Sequence, residues 1–412
     1  MFKSLLDFKN QSISIRWIIV TPVIIYIFIG LLALYGINST NNFDNFLSST
    51  FYKQIIWICL GIIIFIAVQY VRFQFLYDYS YVFYLFLFLF IFSTMFFPKI
   101  EGARRWIPLG PFSFQPSELG KIIYVFGIAR LFNDIKNKYE LSYSFFFIIF
   151  LSLIPPFLVF IQPDLGTAMI YFSIIIPMLF WANFNIKIIV FLVAPLISMI
   201  AVSNLIFYYM WMIFLIIFIL LINEKFYNKI FNFIINLSAS IISPYIWFNI
   251  LKSHQRARIE TFIDPFSDPL GKGYQVIQSI ISIGSGGLWG KGLGNGTQTQ
   301  LRFLPVRDTD FIISVVSEEF GFITIFFLML VLSWLVYWTL NYAQRVENDY
   351  ISTVMIGLVS ILFMHIIINF GMISGLLPVT GLPVPFISYG GSFFLTCAII
   401  IGLINSIINH HI

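Results

Sequence analysis

Two Asp-Pro turns stand close together in the run RARIETFIDPFSDPLGKGYQ, at Asp264-Pro265 and Asp268-Pro269, shortly after Arg256 and Arg258. Proline biases the residue before it away from the helical region, so each carboxylate is held on a stiff corner. Two chemistries are open to such a pair. Both aspartates can simply cap their own turns, or one can serve as a general base beside cations that grip a phosphate-bearing substrate.

The surrounding residues bear on that choice. Lys252, Arg256, Arg258, Lys272, Lys291, Arg302 and Arg307 fall in one stretch with Glu260, Asp264, Asp268, Asp308 and Asp310, and Glu318 and Glu319 follow. Nine of the 25 glycines lie between Gly271 and Gly296, and each glycine in a helix costs about 1 kcal/mol against alanine. The stretch is therefore expected as a loop with short re-entrant turns, its backbone open to close approach by a ligand. The run GSGGLWGKG is not a nucleotide-binding phosphate loop. That loop needs a glycine where Ser285 stands and a hydroxyl residue where Gly292 stands.

Three more clusters carry polar chemistry. In EGARRWIPLGPFSFQPSELGK, Arg104 and Arg105 precede Glu118 and Lys121, whose i,i+3 spacing sets opposite charges on one helix face. An ion pair there lowers the cost of burial, in a structural or a functional role. In QPDLGT, Asp164 follows a proline break between two short apolar runs. In GLLPVTGLPVPFISYGGS, Pro378, Pro383 and Pro385 precede a polar end that includes Ser388. Non-helical backbone at membrane depth persists only where it is buried in protein or lines a polar cavity, so two such breaks imply a cavity. His365, alone in an apolar run with no partner at metal spacing, is expected as a packed polar residue.

What must position these clusters is a membrane. Of 412 residues, 59% are hydrophobic and only 10% charged, against about 25% charged in soluble domains. A net charge of +5 spread over short loops fits the positive-inside rule and does not point to nucleic acid. Cys59 and Cys397 lie in apolar runs, which indicates neither a disulfide framework nor a thiolate metal site. No cleavable signal peptide is expected. Apolar runs of spanning length give an all-α polytopic fold of about twelve spans, with ten plus two re-entrant segments as the alternative. The basic start (Lys3, Lys9, Arg16) places the N-terminus in the cytoplasm, and parity then puts the segment after Ile250 outside. Basic residues normally stay inside, so either the count is off by one span or these cations are held outside because they bind something anionic, the reading preferred here.

Taken in order, the six motifs GARRWIPLGPFSFQPSELGK, QPDLGTAM, DPFSDPLGKGYQVIQS, IGSGGLWGKGLGNGTQTQLRFLP, TDFIISVVSEEFG and LPVTGLPVPFISYGGS resemble the SEDS family of shape, elongation, division and sporulation proteins. The LPVTGLPVPF and GTQTQLRFLP runs look more like its RodA branch of cell elongation than its FtsW branch of division. The resemblance implies one membrane domain over 1–412, a peptidoglycan glycosyltransferase that polymerises lipid II outside the bacterial cytoplasmic membrane, with both termini cytoplasmic. It implies as partners lipid II, the nascent glycan strand, a class B penicillin-binding protein acting as transpeptidase, and other membrane proteins of the elongation complex. The family's essential aspartate falls on Asp268, its acid–base pair on Glu118 and Lys121, and its QPD aspartate on Asp164.

Two departures stand out. Asp308 replaces the histidine of the family's usual RHTDF run, which adds negative charge suited to a divalent cation, Mg or Mn. The chain between Ala182 and Lys252 is also longer than usual, so 183–250 is expected to hold two extra spans beyond the family's ten, ahead of a large extracytoplasmic catalytic loop at 253–310. On this reading Asp268 is the base, Arg104, Arg105, Arg256, Arg258, Lys272 and Arg302 are candidates for the pyrophosphate, and Asp264, Asp308 and Ser388 support them. A flippase of lipid-linked precursors and a non-catalytic scaffold are the competing functions; acids gathered in one outer loop, without an inverted repeat, argue against the flippase.

Overall fold

The computed structural model describes residues 14–38, 49–98, 104–109, 112–138, 141–221, 226–269, 271 and 273–411. The chain is helical almost throughout. In order come α1 (Trp17–Asn38), α2 (Thr50–Val68), α3 (Phe73–Ser93), a hairpin of β1 (Ile107–Leu109) and β2 (Phe112–Phe114), α4 (Pro116–Lys138), α5 (Leu141–Ile161) and α6 (Leu165–Trp181). Then follow α7 (Ile186–Ala201), α8 (Leu205–Leu221), α9 (Phe226–Tyr245) with a π-helical end at Ile246–Ile250, α10 (Ser253–Ile263), α11 (Tyr274–Gly286) and α12 (Thr297–Gln300). The last three are α13 (Ile312–Ala343), α14 (Asp349–Ile373) and α15 (Gly391–His410). The antiparallel hairpin, Ile107 opposite Phe114, is a small departure from the all-α expectation; Pro108 has no N–H to give a helix there.

Among the described residues, seven helices are long and apolar enough to cross a bilayer: α1, α2, α3, α9, α13, α14 and α15. Shorter apolar stretches lie at Phe150–Ile161, Leu165–Trp181, Ile189–Ala201 and Leu205–Leu221. Prolines stand inside α1, α5, α6, α7 and α9, a use that membrane helices tolerate because neighbours satisfy the freed carbonyls.

The chain forms two compact units, one of residues 183–257 and one of the remainder. In the larger unit α14 is the most enclosed helix, packed against α4, α6 and α13, while α15 packs on α2. Its buried polar groups, Ser352, Ser360, His365 and Asn369, face protein and not lipid. Outer helices such as α2 and α3 instead present large apolar residues (Ile62, Ile63, Leu85, Phe90) outward.

The ladder of α13 is broken at Gly321, where φ is +79° and ψ 179°. The carbonyls and amides freed there find partners in the glycine-rich segment: Lys291 N donates to Glu318 O, Gly292 N to Glu319 O, and Phe322 N to Gly287 O. A side chain at residue 321 would meet the backbone of Leu288 and Gly290, so only glycine fits.

The smaller unit holds α7, α8 and α9 around Ala194, Leu215 and Ile219. A polar chain crosses it: Trp211 Nε1 donates to Ser198 Oγ (2.8 Å), which donates to Asn236 Oδ1 (2.8 Å). Phe207, Met210 and Phe214 of α8 point outward.

Candidate functional site

The site grows from the first turns of α4 and α6. Asp164 follows the Pro163 break, where φ is +32°, and caps α6: Oδ1 accepts from Thr167 N (3.1 Å) and Oδ2 from Thr167 Oγ1 (3.0 Å). Gln115, just before α4, donates Nε2 to Asp164 Oδ2 (2.8 Å), and Arg105 Nη1 lies 3.5 Å from the same oxygen. The carboxylate is buried and Arg105 is a quarter exposed, so the arginine reaches in from the surface.

A second arginine comes to the same place. Arg258 of α10 donates Nη1 to Thr380 O (3.4 Å) in the proline-rich segment between α14 and α15. That segment lies directly on α6, because a Cβ at Gly166 would be 2.7 Å from Thr380 O. Burial holds the Arg258 guanidinium below the usual arginine range, the neighbouring Arg105 lowers it further, and Asp310 and Asp164 oppose both. Two guanidinium groups and two carboxylates therefore share one half-buried mouth. The two acids offset the two cations, so an arriving anion would compete with Asp164 and Asp310 for the guanidinium groups.

Behind the mouth lies the Glu118–Lys121 ion pair, Nζ to Oε2 2.7 Å, with the lysine fully enclosed. The i,i+3 geometry expected from the sequence is present. Lys121 Nζ also lies 2.8 Å from His365 Nε2 and 5.4 Å from the centre of the Phe393 ring. His365 is thus buried as expected, yet it has a charged partner that spacing along the chain could not disclose.

The loop that carries the two Asp-Pro turns is more exposed. Asp264 Oδ1 accepts from Phe266 N (3.1 Å) and Asp268 Oδ1 from Gly271 N (3.0 Å), so each aspartate caps its own turn. Asp268 is exposed. The other sequence candidates hold separate positions. Arg104 Nη1 donates to Met95 O (3.0 Å), Arg256 Nε to Leu251 O (3.2 Å), and exposed Arg302 has φ +59°. Lys272 lies outside the described residues. Asp308 O accepts from Tyr389 N (2.9 Å), and burial with the Asp308 charge raises the Tyr389 hydroxyl above its ordinary range. Ser388 is a stitch: its Oγ donates to Thr309 O and accepts from Val384 N, each at 2.7 Å. The structure thus joins Arg105, Arg258 and Asp164 at one place and Glu118 with Lys121 at another.

The cell cycle protein family model of FtsW, RodA and SpoVE matches residues 16–214 and 207–411.

The chain belongs to that family.

It is 36% identical over 310 residues to peptidoglycan glycosyltransferase MrdB of Escherichia coli K12, covering 75% of this chain and 72% of that one. It is 31% identical over 410 residues to peptidoglycan glycosyltransferase RodA of Treponema pallidum, covering 92% and 94%. Two solved structures share the family fold. One belongs to a peptidoglycan synthase complex that coordinates polymerisation and crosslinking (TM-score 0.68, 24% identity, 96% of this chain and 98% of that one). The other is Thermus thermophilus RodA (TM-score 0.62, 19% identity, 98% of each chain).

Family motifs that sequence reasoning left without a role now have one. Glu318, fully buried in TDFIISVVSEEFG, accepts from Lys291 Nζ (2.8 Å), Gln298 N (3.0 Å), Thr299 N (3.2 Å), Thr299 Oγ1 (3.0 Å) and Thr297 Oγ1 (3.1 Å). One carboxylate gathers the GKGLGNGTQTQ loop. Gln115 and Thr380 were also missed, and the only available signal was their place inside the family motifs.

Proposed function

We propose that this chain is a peptidoglycan glycosyltransferase that polymerises lipid II into glycan strands at the outer face of the bacterial cytoplasmic membrane. The observation that carries the reading is the paired Arg105 and Arg258 mouth beside Asp164, in a chain whose curated relatives bear that activity by name.

The reaction joins two sugars. An acceptor hydroxyl attacks the anomeric carbon of the donor, the bond to the lipid pyrophosphate breaks with inversion, and the hydroxyl proton passes to a base. Asp268 is the base in this reading, held on its corner by the Gly271 amide; a positioned carboxylate contributes about 10²–10⁴-fold. Arg105 and Arg258 bind the pyrophosphate of the donor before and as it leaves. Arg104, Arg256, Lys272 and Arg302 remain further candidates for the pyrophosphate in this reading. Asp164 orients Arg105, Glu118 and Lys121 support the mouth from beneath, and Asp264, Asp308 and Ser388 shape the loops around it.

A divalent cation, Mg or Mn, belongs to the proposal only as an ion carried in on the pyrophosphate. Among the described residues no group of three or more His, Cys, Asp or Glu side chains is placed to hold a resident ion. Mg²⁺ bound through substrate phosphates needs only one or two carboxylates.

The seven long apolar helices, the four shorter stretches and α4 support a count of about twelve crossings. In this topology 183–250 contributes two spans beyond the family's ten, 253–310 forms the outer catalytic loop, and α11 is re-entrant. Arg16, at the start of α1, donates Nε to Asn409 Oδ1 at the end of α15 (2.8 Å), which supports both on one side of the membrane, taken as the cytoplasm from the basic start of the chain. A class B penicillin-binding protein is the transpeptidase partner in this reading, alongside other membrane proteins of the elongation complex; that the fold is shared with a synthase complex coordinating polymerisation and crosslinking supports it.

Lipid II polymerisation by the purified chain with its transpeptidase, wild type against Asp268→Ala, tests the reading. Glycan chains from wild type alone support both enzyme and base. Chains from both variants move the base elsewhere; transport of lipid II in liposomes without polymer would replace the enzyme by a flippase.

A further inference from the structure

Lysine has three N–H donors and no acceptor, so the 2.8 Å contact from Lys121 Nζ makes His365 Nε2 the acceptor. The other ring nitrogen must then carry the hydrogen. It faces Pro383 O at 3.3 Å, an acceptor that suits an Nδ1–H. Two independent contacts thus select one neutral tautomer. The ring is fixed further by Phe393, whose centroid is 4.6 Å away at 38°, and Phe393 also faces the lysine.

Three ionisable groups are enclosed here, with Lys121 and His365 fully buried and Glu118 nearly so. A buried pair repays its desolvation only when the remaining donors are satisfied. Glu118 satisfies one N–H of Lys121 and His365 a second. The histidine also reaches beyond the pair. Pro383 belongs to the same segment as Thr380, whose carbonyl accepts from Arg258 and sits against Gly166. Leu382 O, one residue before Pro383, accepts from Asn369 Nδ2 (2.7 Å), which ties the segment back to α14. The segment therefore touches the arginine mouth at one end and the buried ammonium, through the imidazole, at the other.

We propose that His365 is a positioning residue for glycosyl transfer: its Nε2 holds the Lys121 ammonium, and its Nδ1–H docks that ammonium onto the segment that orients Arg258. This rests on the polymerase reading above. It assigns His365 no contact with substrate.

The test uses the purified full-length chain with its transpeptidase. Leucine at the site removes both ring contacts, whereas the glutamine side chain retains an acceptor for Lys121 and an N–H for Pro383. In lipid II polymerisation, His365→Leu is expected to lower kcat/KM about tenfold or more, with KM for lipid II rising because Arg258 is misplaced, and His365→Gln to recover most of the loss. Wild-type kcat/KM in a folded His365→Leu protein overturns the proposal, as does an equal loss in folded Leu and Gln variants. If His365→Leu does not fold, ¹⁵N NMR of the histidines in the wild-type chain decides instead. A neutral Nδ1–H ring at His365 whose Nε2 signal moves on Lys121→Met supports the proposal; an Nε2–H ring overturns it. Failure of the polymerase reading itself shows separately, as a wild-type protein that makes no glycan whatever the NMR result.

Discussion

Gln115 Nε2 donates to Asp164 Oδ2 at 2.8 Å, and this one bond fastens the entry of α4 to the entry of α6. Both helices begin at the arginine mouth, so its geometry is fixed by groups that spend their own hydrogen bonds on each other. Asp164→Ala removes the cap of α6, worth about 0.5–2 kcal/mol. It also leaves one N–H of the buried Gln115 amide without its acceptor, the other still reaching Ser117 Oγ, at about 1–3 kcal/mol. Thermal unfolding in detergent is expected to show the sum, and polymerisation to fall with it. Gln115→Ala, which keeps the cap, should cost less stability than Asp164→Ala.

Arg258 is expected to govern affinity more than turnover. Arg258→Ala should raise KM for lipid II about tenfold, and Arg258→Lys should recover only part, because an ammonium cannot reproduce the bidentate fork of a guanidinium. Steady-state kinetics at two ionic strengths checks this: the wild-type KM should depend on salt more steeply than that of Arg258→Ala. Equal salt dependence in the two would place the pyrophosphate elsewhere.

Glu318 is expected to matter through stability. Its removal leaves the Gln298 and Thr299 amides without their acceptor and takes from Lys291 its ion-pair partner, leaving it the Ser285 and Thr297 hydroxyls. Losing one member of a buried pair costs about 3–5 kcal/mol, so Glu318→Ala should melt well below wild type. Limited proteolysis should then cut first between residues 290 and 301. A melting temperature equal to wild type would show that the loop is held by something else.

Gly166 offers a test of packing at the site. An alanine Cβ there would come within 2.7 Å of Thr380 O and 3.0 Å of the Leu382 side chain. Over-packing of this kind costs about 1–3 kcal/mol. The carbonyl that must retreat is the one that holds Arg258, so Gly166→Ala should raise KM for lipid II beyond what its loss of stability predicts.

The local part of this site was legible in the sequence. The i,i+3 spacing of Glu118 and Lys121 forces them onto one helix face, and the ion pair is there. The proline break in QPDLGT announced a helix start, and Asp164 caps it. Capping was also one of the two roles left open for Asp264 and Asp268, and both do cap. The contacts between elements were not legible. Lys121 and His365 are 244 residues apart, and no periodicity within either helix selects the other. Arg105 reaches Asp164, and Arg258 reaches Thr380, only because the bundle closes. Glu318 could be seen as an acid at a span end, but its donors, Lys291 and the short helix α12, carry no pattern that ties them to it.

The bond between Arg16 and Asn409 has a consequence for biosynthesis. Its two ends are 393 residues apart in the chain, so α1 enters the bilayer long before its polar partner has been translated. Arg16 and its backbone amide, which donates to Asn405 Oδ1 at 2.9 Å, therefore remain without these partners until the last helix leaves the ribosome. Nascent chains truncated before α15 should accordingly leave Arg16 without these partners while α1 still packs on α13, and closure of this end of the bundle becomes one of the final events of synthesis.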